Sequence, residues 1–208
     1  MMINYLGHSC FKIQSNSGVT LVTDPYNSDI GLKLPNFEAN IITVTHDHGD
    51  HNNVKASKGS PYIISLPGEY DISDILVEGI LSKHGGDKGE NIIYRIEVDG
   101  ITLCHLGDLG EALNEKQLDH LNAVDILFIP VGGKNSLNVS QAMEVVNQLE
   151  PRIVVPMHYN VPGLKIDGLA DVEKFIKESG LKPRYEEKIK LNKKDLPVED
   201  TELVILSA

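Results

Sequence analysis

Histidine and aspartate are concentrated in one short stretch of this sequence, His46-Asp47-His48-Gly49-Asp50-His51. The stretch follows the apolar run Asn40–Val44, which is typical of a strand. In an extended segment the side chains at positions 46, 48 and 50 point the same way, so two imidazoles and a carboxylate can converge. Imidazole and carboxylate without thiolate suit zinc, manganese or iron, and four ligand groups in six residues exceed the needs of one open site. The stretch therefore predicts a centre with two metal ions.

This motif, His46-x-His48-x-Asp50-His51, resembles the signature of the metallo-β-lactamase superfamily of metal-dependent hydrolases. In that family the ligands continue with a third histidine, a bridging aspartate and a last histidine, each at the end of a strand. His84, Asp108 and His158 occur here in that order, and each follows a strand-like run. The resemblance therefore extends from the N-terminal third of the chain to residue 158.

The resemblance implies an α/β fold, the four-layer αβ/βα sandwich, with the site at the sheet edges between its two halves. It implies that His46, His48 and His84 hold one ion, that Asp50, His51 and His158 hold the other, and that Asp108 bridges both. A metal-bridging hydroxide would be the nucleophile. Asp50 is the expected catalytic residue, which would orient the hydroxide and pass a proton to the leaving group. The expected cofactors are two divalent ions, zinc first, with manganese or iron as alternatives.

Two further segments resemble a small branch of metal-dependent hydrolases related to ascorbate-phosphate lactonases: Leu6-Gly7-His8-Ser9-Cys10 and Leu21-Val22-Thr23-Asp24-Pro25. True β-lactamases of the family have a cysteine where this chain has Asp108, so antibiotic hydrolysis is disfavoured. The expected reaction is hydrolysis of an ester-like bond, a lactone or phosphodiester, in a small molecule. A non-catalytic or redox metal protein on the same scaffold and a nuclease are the alternatives.

Several residues have two interpretations from sequence. His105 is a rival to His84 for the third histidine; otherwise it orients Asp108 or is a satisfied buried histidine. His8 either contacts the substrate or a metal-ligating residue at the rim of the site, or has a packing role. Asp24 either accepts a hydrogen bond from a ligating imidazole or forms a turn. Gly132–Ser136 either receives an anion near a helix start or permits a tight turn, and Leu66–Tyr70 is predicted to be a surface loop.

The elements that must position these residues are mainly strands in the first half of the chain, and strands and helices in the second half. Strands are predicted at Asn4–Ile13, Val19–Thr23, Asn40–Thr45, Pro61–Ser65, Ile75–Ser82, Asn91–Val98, Ile101–His105, Asp125–Pro130, Arg152–Pro156 and Leu203–Leu206. Capping boxes beginning at Asn114 and Asn138 predict helices that run to Leu121 and to the residues before Pro151, and Leu169–Ser179 predicts a third. Without a repeat or linker, residues 1–208 are predicted to form a single metallo-β-lactamase-like hydrolase domain.

The amino-acid composition of the chain disfavours two classes of binding partner. With 19 Lys and Arg against 30 Asp and Glu the net charge is −11, which disfavours nucleic acid and anionic membrane surfaces. No apolar run approaches the roughly 18 residues of a membrane-spanning helix, and Met1–Cys10 does not resemble a signal peptide. Cys10 and Cys104 are predicted to be buried thiols. We therefore expect a cytoplasmic protein that binds a small-molecule substrate, and the sequence predicts no particular oligomeric state.

Overall fold

The computed structural model describes residues 1–86 and 89–208, and strands predominate in these ranges. In chain order they are β1 (Met2–Gly7), β2 (Cys10–Gln14), β3 (Thr20–Thr23), β4 (Phe37–Glu38), β5 (Ile41–Thr43), β6 (Ser57–Lys58), β7 (Tyr62–Ile64), β8 (Gly68–Ile72), β9 (Ile75–Lys83), β10 (Glu90–Val98), β11 (Ile101–His105), β12 (Ile126–Pro130), β13 (Ile153–Met157), β14 (Pro183–Glu186), β15 (Lys188–Lys190) and β16 (Glu202–Leu206). The α-helices are α1 (Glu115–His120), α2 (Val139–Leu149) and α3 (Val172–Ser179), and short 3-10 helices lie at Ser28–Ile30, Val54–Ala56 and Lys193–Asp195.

The strands form two large sheets. The first has the order β15-β1-β2-β3-β5-β7 and the second has the order β14-β16-β13-β12-β11-β10-β9-β8, while β4 and β6 pair separately. Neighbours β3, β5 and β7 run parallel, as do β11, β12, β13 and β16. Parallel neighbours end at the same edge of a sheet, so the loops that follow these strands are brought together.

Three apolar clusters separate four layers. The cluster between the sheets contains Phe11, Ile41 and Phe128. On the outer face of the second sheet, Val145 of α2 and Phe175 of α3 pack in a second cluster. The third covers the outer face of the first sheet and includes Tyr26, from a segment rich in loops and 3-10 helices. The αβ/βα arrangement is confirmed, although in the described residues that fourth layer holds no α-helix.

The three predicted helices are present, and Asn114 and Asn138 form complete capping boxes at α1 and α2. Helix α3 begins at Val172 rather than at the predicted Leu169. The reason is local pairing, because the N–H of Ala170 donates to the Gly132 carbonyl and its own carbonyl accepts from the N–H of Asn160. None of the helices in the described ranges has the length and apolar character that a membrane crossing needs.

Two predictions about strands were wrong. Asn4–Ile13 is not one strand but the β1–β2 hairpin, which turns where Gly7 and His8 have φ of +106° and +57°. Leu66–Tyr70 is not wholly a loop, since Gly68–Ile72 forms β8 and pairs with β9. The connecting residues Ser73 and Asp74 both have positive φ, which is the geometry of a tight hairpin turn.

Candidate metal centre

The seven predicted ligands lie together at one edge of the two sheets. His46, His48, Asp50 and His51 follow β5 of the first sheet. His84, Asp108 and His158 follow β9, β11 and β13 of the second sheet. Strand ends from both sheets therefore supply the residues, as the spacing of the sequence predicts.

The carboxylate of Asp108 occupies the middle of the cluster. Its Oδ2 lies 3.1 Å from Nε2 of His158 and 3.3 Å from Nε2 of His84. Its Oδ1 lies 3.5 Å from Nε2 of His51, and its Oδ2 is 4.0 Å from Nε2 of His46. Asp108 thus contacts histidines from both sheets.

The donor atoms fall into overlapping groups in which all atoms lie within 4.8 Å of one another. His46, His48 and His84 form one group, and His8, Asp50, His51 and His158 form another. A third group contains His46, His51 and Asp108 and so connects the first two. His46 and His51 therefore connect the first two groups to Asp108.

The donor set fits cations because several of its buried atoms have no hydrogen-bond partner among the described residues. These atoms are Nε2 of His46, His51 and His84 and Oδ1 of Asp108. Leaving a buried polar atom unpaired costs about 1–3 kcal/mol, so such atoms are rare unless an ion or water satisfies them. Unpartnered donor atoms brought together in this way are the arrangement that a metal ion requires.

Asp24 fixes the orientation of His51 and Thr45 by accepting hydrogen bonds from both. Its Oδ2 accepts a hydrogen bond from Nδ1 of His51 at 2.8 Å. Its two carboxylate oxygens also accept from the backbone N–H and the hydroxyl of Thr45, at 2.8 and 2.7 Å. The Nε2 atom of His51 is thereby directed towards Asp108. Of the two interpretations of Asp24, the structure shows the hydrogen bond to an imidazole.

The charges in the cluster are strongly coupled. Burial lowers the pKa of His46 to about 3. Burial raises the pKa of the Asp108 carboxyl, but His158 and His51 outweigh this and hold that pKa well below its usual range. Burial also lowers the pKa of His51, yet Asp108 and Asp24 hold it well above the usual value. Asp108 is therefore ionised and His46 neutral at pH 7, the forms that bind a cation.

A family profile and a solved structure identify this arrangement. The beta-lactamase superfamily domain profile matches residues 2–158. A candidate Zn-dependent hydrolase of the metallo-β-lactamase superfamily from Thermotoga maritima is 32% identical, with a TM-score of 0.82 over 99% of this chain and 98% of that one. The chain belongs to the metallo-β-lactamase superfamily. A metal-dependent hydrolase of Nanoarchaeum equitans, 29% identical over 80% of this chain and 88% of its own, is another relative.

The metallo-β-lactamase fold is not restricted to one chemistry. CmlA, a diiron β-hydroxylase from Streptomyces venezuelae, has a TM-score of 0.65 at 15% identity, covering 99% of this chain and 52% of its own. That likeness concerns the fold alone. The chemistry of this superfamily member has to be argued from its own site.

The two histidines that have alternative interpretations outside the predicted ligand set, His105 and His8, differ in their contacts. His105 lies outside the three donor groups: its Nε2 donates to the Ser9 carbonyl at 2.9 Å, and its Nδ1 accepts from the N–H of Gly107 at 3.3 Å. His105 is thus a satisfied buried histidine beside the metallo-β-lactamase site. His84, by contrast, groups with His46 and His48, and His8 groups with Asp50, His51 and His158.

The sequence argument missed Asn91, which has no motif around it and lies within β10. Its Oδ1 accepts from the N–H of Asp108 at 2.9 Å, while its Nδ2 donates to Ser82 Oγ and to the Leu106 carbonyl. Asn91 therefore fixes the backbone of the central aspartate. An Asn directly before the apolar residues Ile92, Ile93 and Tyr94 of β10 was the available signal.

A cleft of about 440 Å³ opens over this metallo-β-lactamase centre. Asp50, His84, Asp108 and His158 lie at its base, and Lys134 and Asn135 lie at its rim. A second cavity of about 340 Å³ adjoins His46 and His48, and its walls combine the apolar Leu66, Leu81 and Ile92 with polar side chains. Lys134 belongs to the Gly132–Ser136 segment, where the N–H groups of Gly132, Gly133 and Ser136 donate to the carbonyls of His158, Leu137 and Gly133. Of the two interpretations of this segment, the structure therefore shows the tight turn.

Proposed function

We propose that this protein is a hydrolase that uses two divalent metal ions to cleave an ester-like bond, a lactone or phosphodiester, in a small molecule. Zinc is the first choice of metal, with manganese and iron as alternatives. The observation that carries the proposal is the convergence of five imidazoles and two carboxylates, several with unpartnered buried atoms. Relatives described as metal-dependent hydrolases support the same reaction class.

In this proposal His46, His48 and His84 hold one ion, while Asp50, His51 and His158 hold the other. Asp108 binds both. Two such ions would lower the pKa of water from about 16 towards about 7 and neutralise charge on the attacking and leaving oxygens. The protein contributes by fixing the donors, and Asp24 and Asn91 hold His51 and Asp108 in place.

Asp50 is the proposed catalytic residue because it is the more accessible of the two carboxylates. Its side chain is 24% exposed, whereas that of Asp108 is 4% exposed. Burial raises the pKa of Asp50, but His8 and His51 outweigh this and hold the pKa well below its usual range. At neutral pH the group is therefore an ionised acceptor that can orient water. We propose as its second role that it takes up a proton from that water and passes it to the leaving group.

The surroundings of the cleft support a small substrate with distinct polar and apolar parts. Lys134 at the rim supplies a cation for an anionic group, and its Nζ donates to the carbonyl of Asp167. Leu66 and Leu81 line the adjoining cavity, which would accept an apolar part. A chain with net charge −11 has no general attraction for nucleic acid, so a nuclease activity is disfavoured.

The test is a panel of esters, lactones and phosphodiesters assayed with metal-loaded wild type and Asp50→Asn. The substitution keeps the shape and one oxygen donor but removes the negative charge. Turnover of any substrate cleaved by the wild type should fall about 100- to 10,000-fold, the usual contribution of a general acid or base. The ion held by His46, His48 and His84 and the thermal midpoint should change little.

Glu111→Gln is a suitable control, since it removes an acidic charge from the loop after Asp108 that, among the described residues, pairs with the exposed Lys83 alone. Its turnover should stay close to that of the wild type. Absence of cleavage across the panel by protein carrying two ions, together with electron transfer or oxygen consumption by the same sample, would replace the hydrolase proposal with the redox alternative.

A further inference from the structure

His8 lies at the turn between β1 and β2 and points into the second donor group. The residue is 1% exposed and has a left-handed φ of +57°, which is uncommon for a residue with a side chain. Its carbonyl accepts hydrogen bonds from the hydroxyl of Tyr5 at 2.8 Å and from the N–H of His158 at 3.0 Å. Strained backbone of this kind clusters at functional sites, where the surroundings hold it in place.

The separation between His8 and Asp50 is the informative distance. Nε2 of His8 lies 3.3 Å from Oδ2 of Asp50. Charge-assisted hydrogen bonds between nitrogen and carboxylate are shorter, about 2.7–2.9 Å. Elsewhere in this protein, Nδ1 of His51 lies 2.8 Å from Oδ2 of Asp24. The His8–Asp50 pair is longer than a strong hydrogen bond.

A shared cation explains the longer distance. Two donors bound to one ion at about 2.0–2.1 Å, with an angle of about 90–110° between them, are about 2.9–3.4 Å apart. Two pairs proposed to share an ion have this spacing, His84 Nε2 and His158 Nε2 at 3.3 and 3.1 Å from Asp108 Oδ2, whereas His51 Nε2 lies 3.5 Å from Asp108 Oδ1 and 3.7 Å from Asp50 Oδ2. The 3.3 Å between His8 and Asp50 falls within the range of these ligand pairs.

The neighbours of the His8 ring agree with this interpretation. Its centroid is 4.4 Å from that of His158 and 5.1 Å from that of His51. Donor atoms of His8, Asp50, His51 and His158 all lie within 4.8 Å of one another.

We propose that His8 is a further metal ligand, which binds the ion held by Asp50, His51 and His158. This inference rests on the two-ion centre of the proposed function. With Asp108 the second ion then has five protein donors, whereas the first ion has four, namely His46, His48, His84 and Asp108. The second ion should therefore be the last to leave when a chelator is added.

The variant His8→Asn tests the assignment, because asparagine tolerates a left-handed backbone but lacks the imidazole. His105→Asn is the control, since it removes an equally buried histidine that lies outside the donor groups. Both proteins are loaded with cobalt(II), and each coordinated imidazole then contributes one strongly shifted exchangeable N–H proton resonance. The affinity for each ion is measured by competition with a chelator.

The wild type should show six shifted imidazole resonances, from His8, His46, His48, His51, His84 and His158. His8→Asn should show five and bind the second ion at least about 10-fold more weakly, with the first ion changed less than about 2-fold. His105→Asn should retain all six. If His8→Asn fails to fold, His8→Gly serves instead, because glycine adopts positive φ freely.

Two results would overturn the inference alone: an unchanged affinity for the second ion, or a weakened affinity with all six resonances retained. The second of these would make His8 a residue that positions Asp50. A wild-type protein that binds no more than one ion at saturation would overturn the two-ion centre as well, so the two failures are distinguishable.

Discussion

His51 has to lose a proton before it can bind an ion. Asp108 and Asp24 outweigh the effect of burial and keep the pKa of His51 well above its usual value in the metal-free protein. The imidazole is therefore protonated at pH 7, where an ion and a proton compete for it. Affinity for the second ion should rise about tenfold per pH unit until the pH passes the pKa of His51.

Calorimetric titration in buffers with different ionisation enthalpies measures this exchange. At pH 7 the second ion should release about one proton, whereas His46, with its pKa lowered by burial to about 3, contributes none when the first ion binds. A binding enthalpy for the second ion that is independent of the buffer would show that His51 is neutral in the metal-free protein.

The third histidine of the first group can be tested with a pair of alanine variants. His84→Ala should remove only the ion bound by His46 and His48, because His84 supplies the third donor of that group. His105→Ala is the matched buried control and should retain both ions, although it leaves the Ser9 carbonyl without its donor. Anomalous diffraction locates the ions, and a peak beside His105 would show that the assignment is wrong.

At the scale of elements, three loops that follow strands of the second sheet pack against one another with almost no free space. The N–H of Gly110 donates to the Lys83 carbonyl, and the N–H of Leu137 donates to the Leu109 carbonyl. A Cβ on Gly110 would lie 2.1 Å from the Cα of Gly85. A glycine is thus needed where the loops carrying His84 and Asp108 meet.

Gly110→Ala should therefore separate these loops. Overpacking typically costs about 1–3 kcal/mol, and we expect a loss of that size in the free energy of unfolding together with weaker binding of the first ion. Urea unfolding and ion titration measure the two effects. Gly86→Ala is the control, as its Cβ would meet no described atom within 4 Å and the cost is limited to its φ of +64°. Equal losses in both variants would contradict the crowding argument.

The elements also show what the sequence could predict. Alternating apolar and polar residues and continuous apolar runs predicted the strands that precede the ligands. Capping boxes predicted α1 and α2. The contacts of Asp24 with His51 and of Asn91 with Asp108 connect residues 27 and 17 positions apart. Such contacts depend on the order of strands in the sheets, which local patterns do not encode.

On the scale of the whole molecule, two sheets supply one centre. The first sheet provides the motif that begins at His46, and the second provides His84, Asp108 and His158. Neither sheet alone presents a complete donor set, so the packing between the sheets fixes the distances at the centre. Family resemblance predicted this layering, whereas the loop-rich cover of the first sheet follows from tertiary packing around Tyr26 and was not foreseen.

Metal content per chain tests the two-ion centre most directly. Protein equilibrated with saturating zinc and freed of excess metal should contain about two ions per chain by elemental analysis. Asp108→Ala should lose or disorder both, because this carboxylate lies between the two groups. Asp47→Ala, at an exposed position of the same motif, should keep both. A wild-type content that never exceeds one ion at saturation, or an Asp108→Ala variant that retains two ordered ions, would contradict the account.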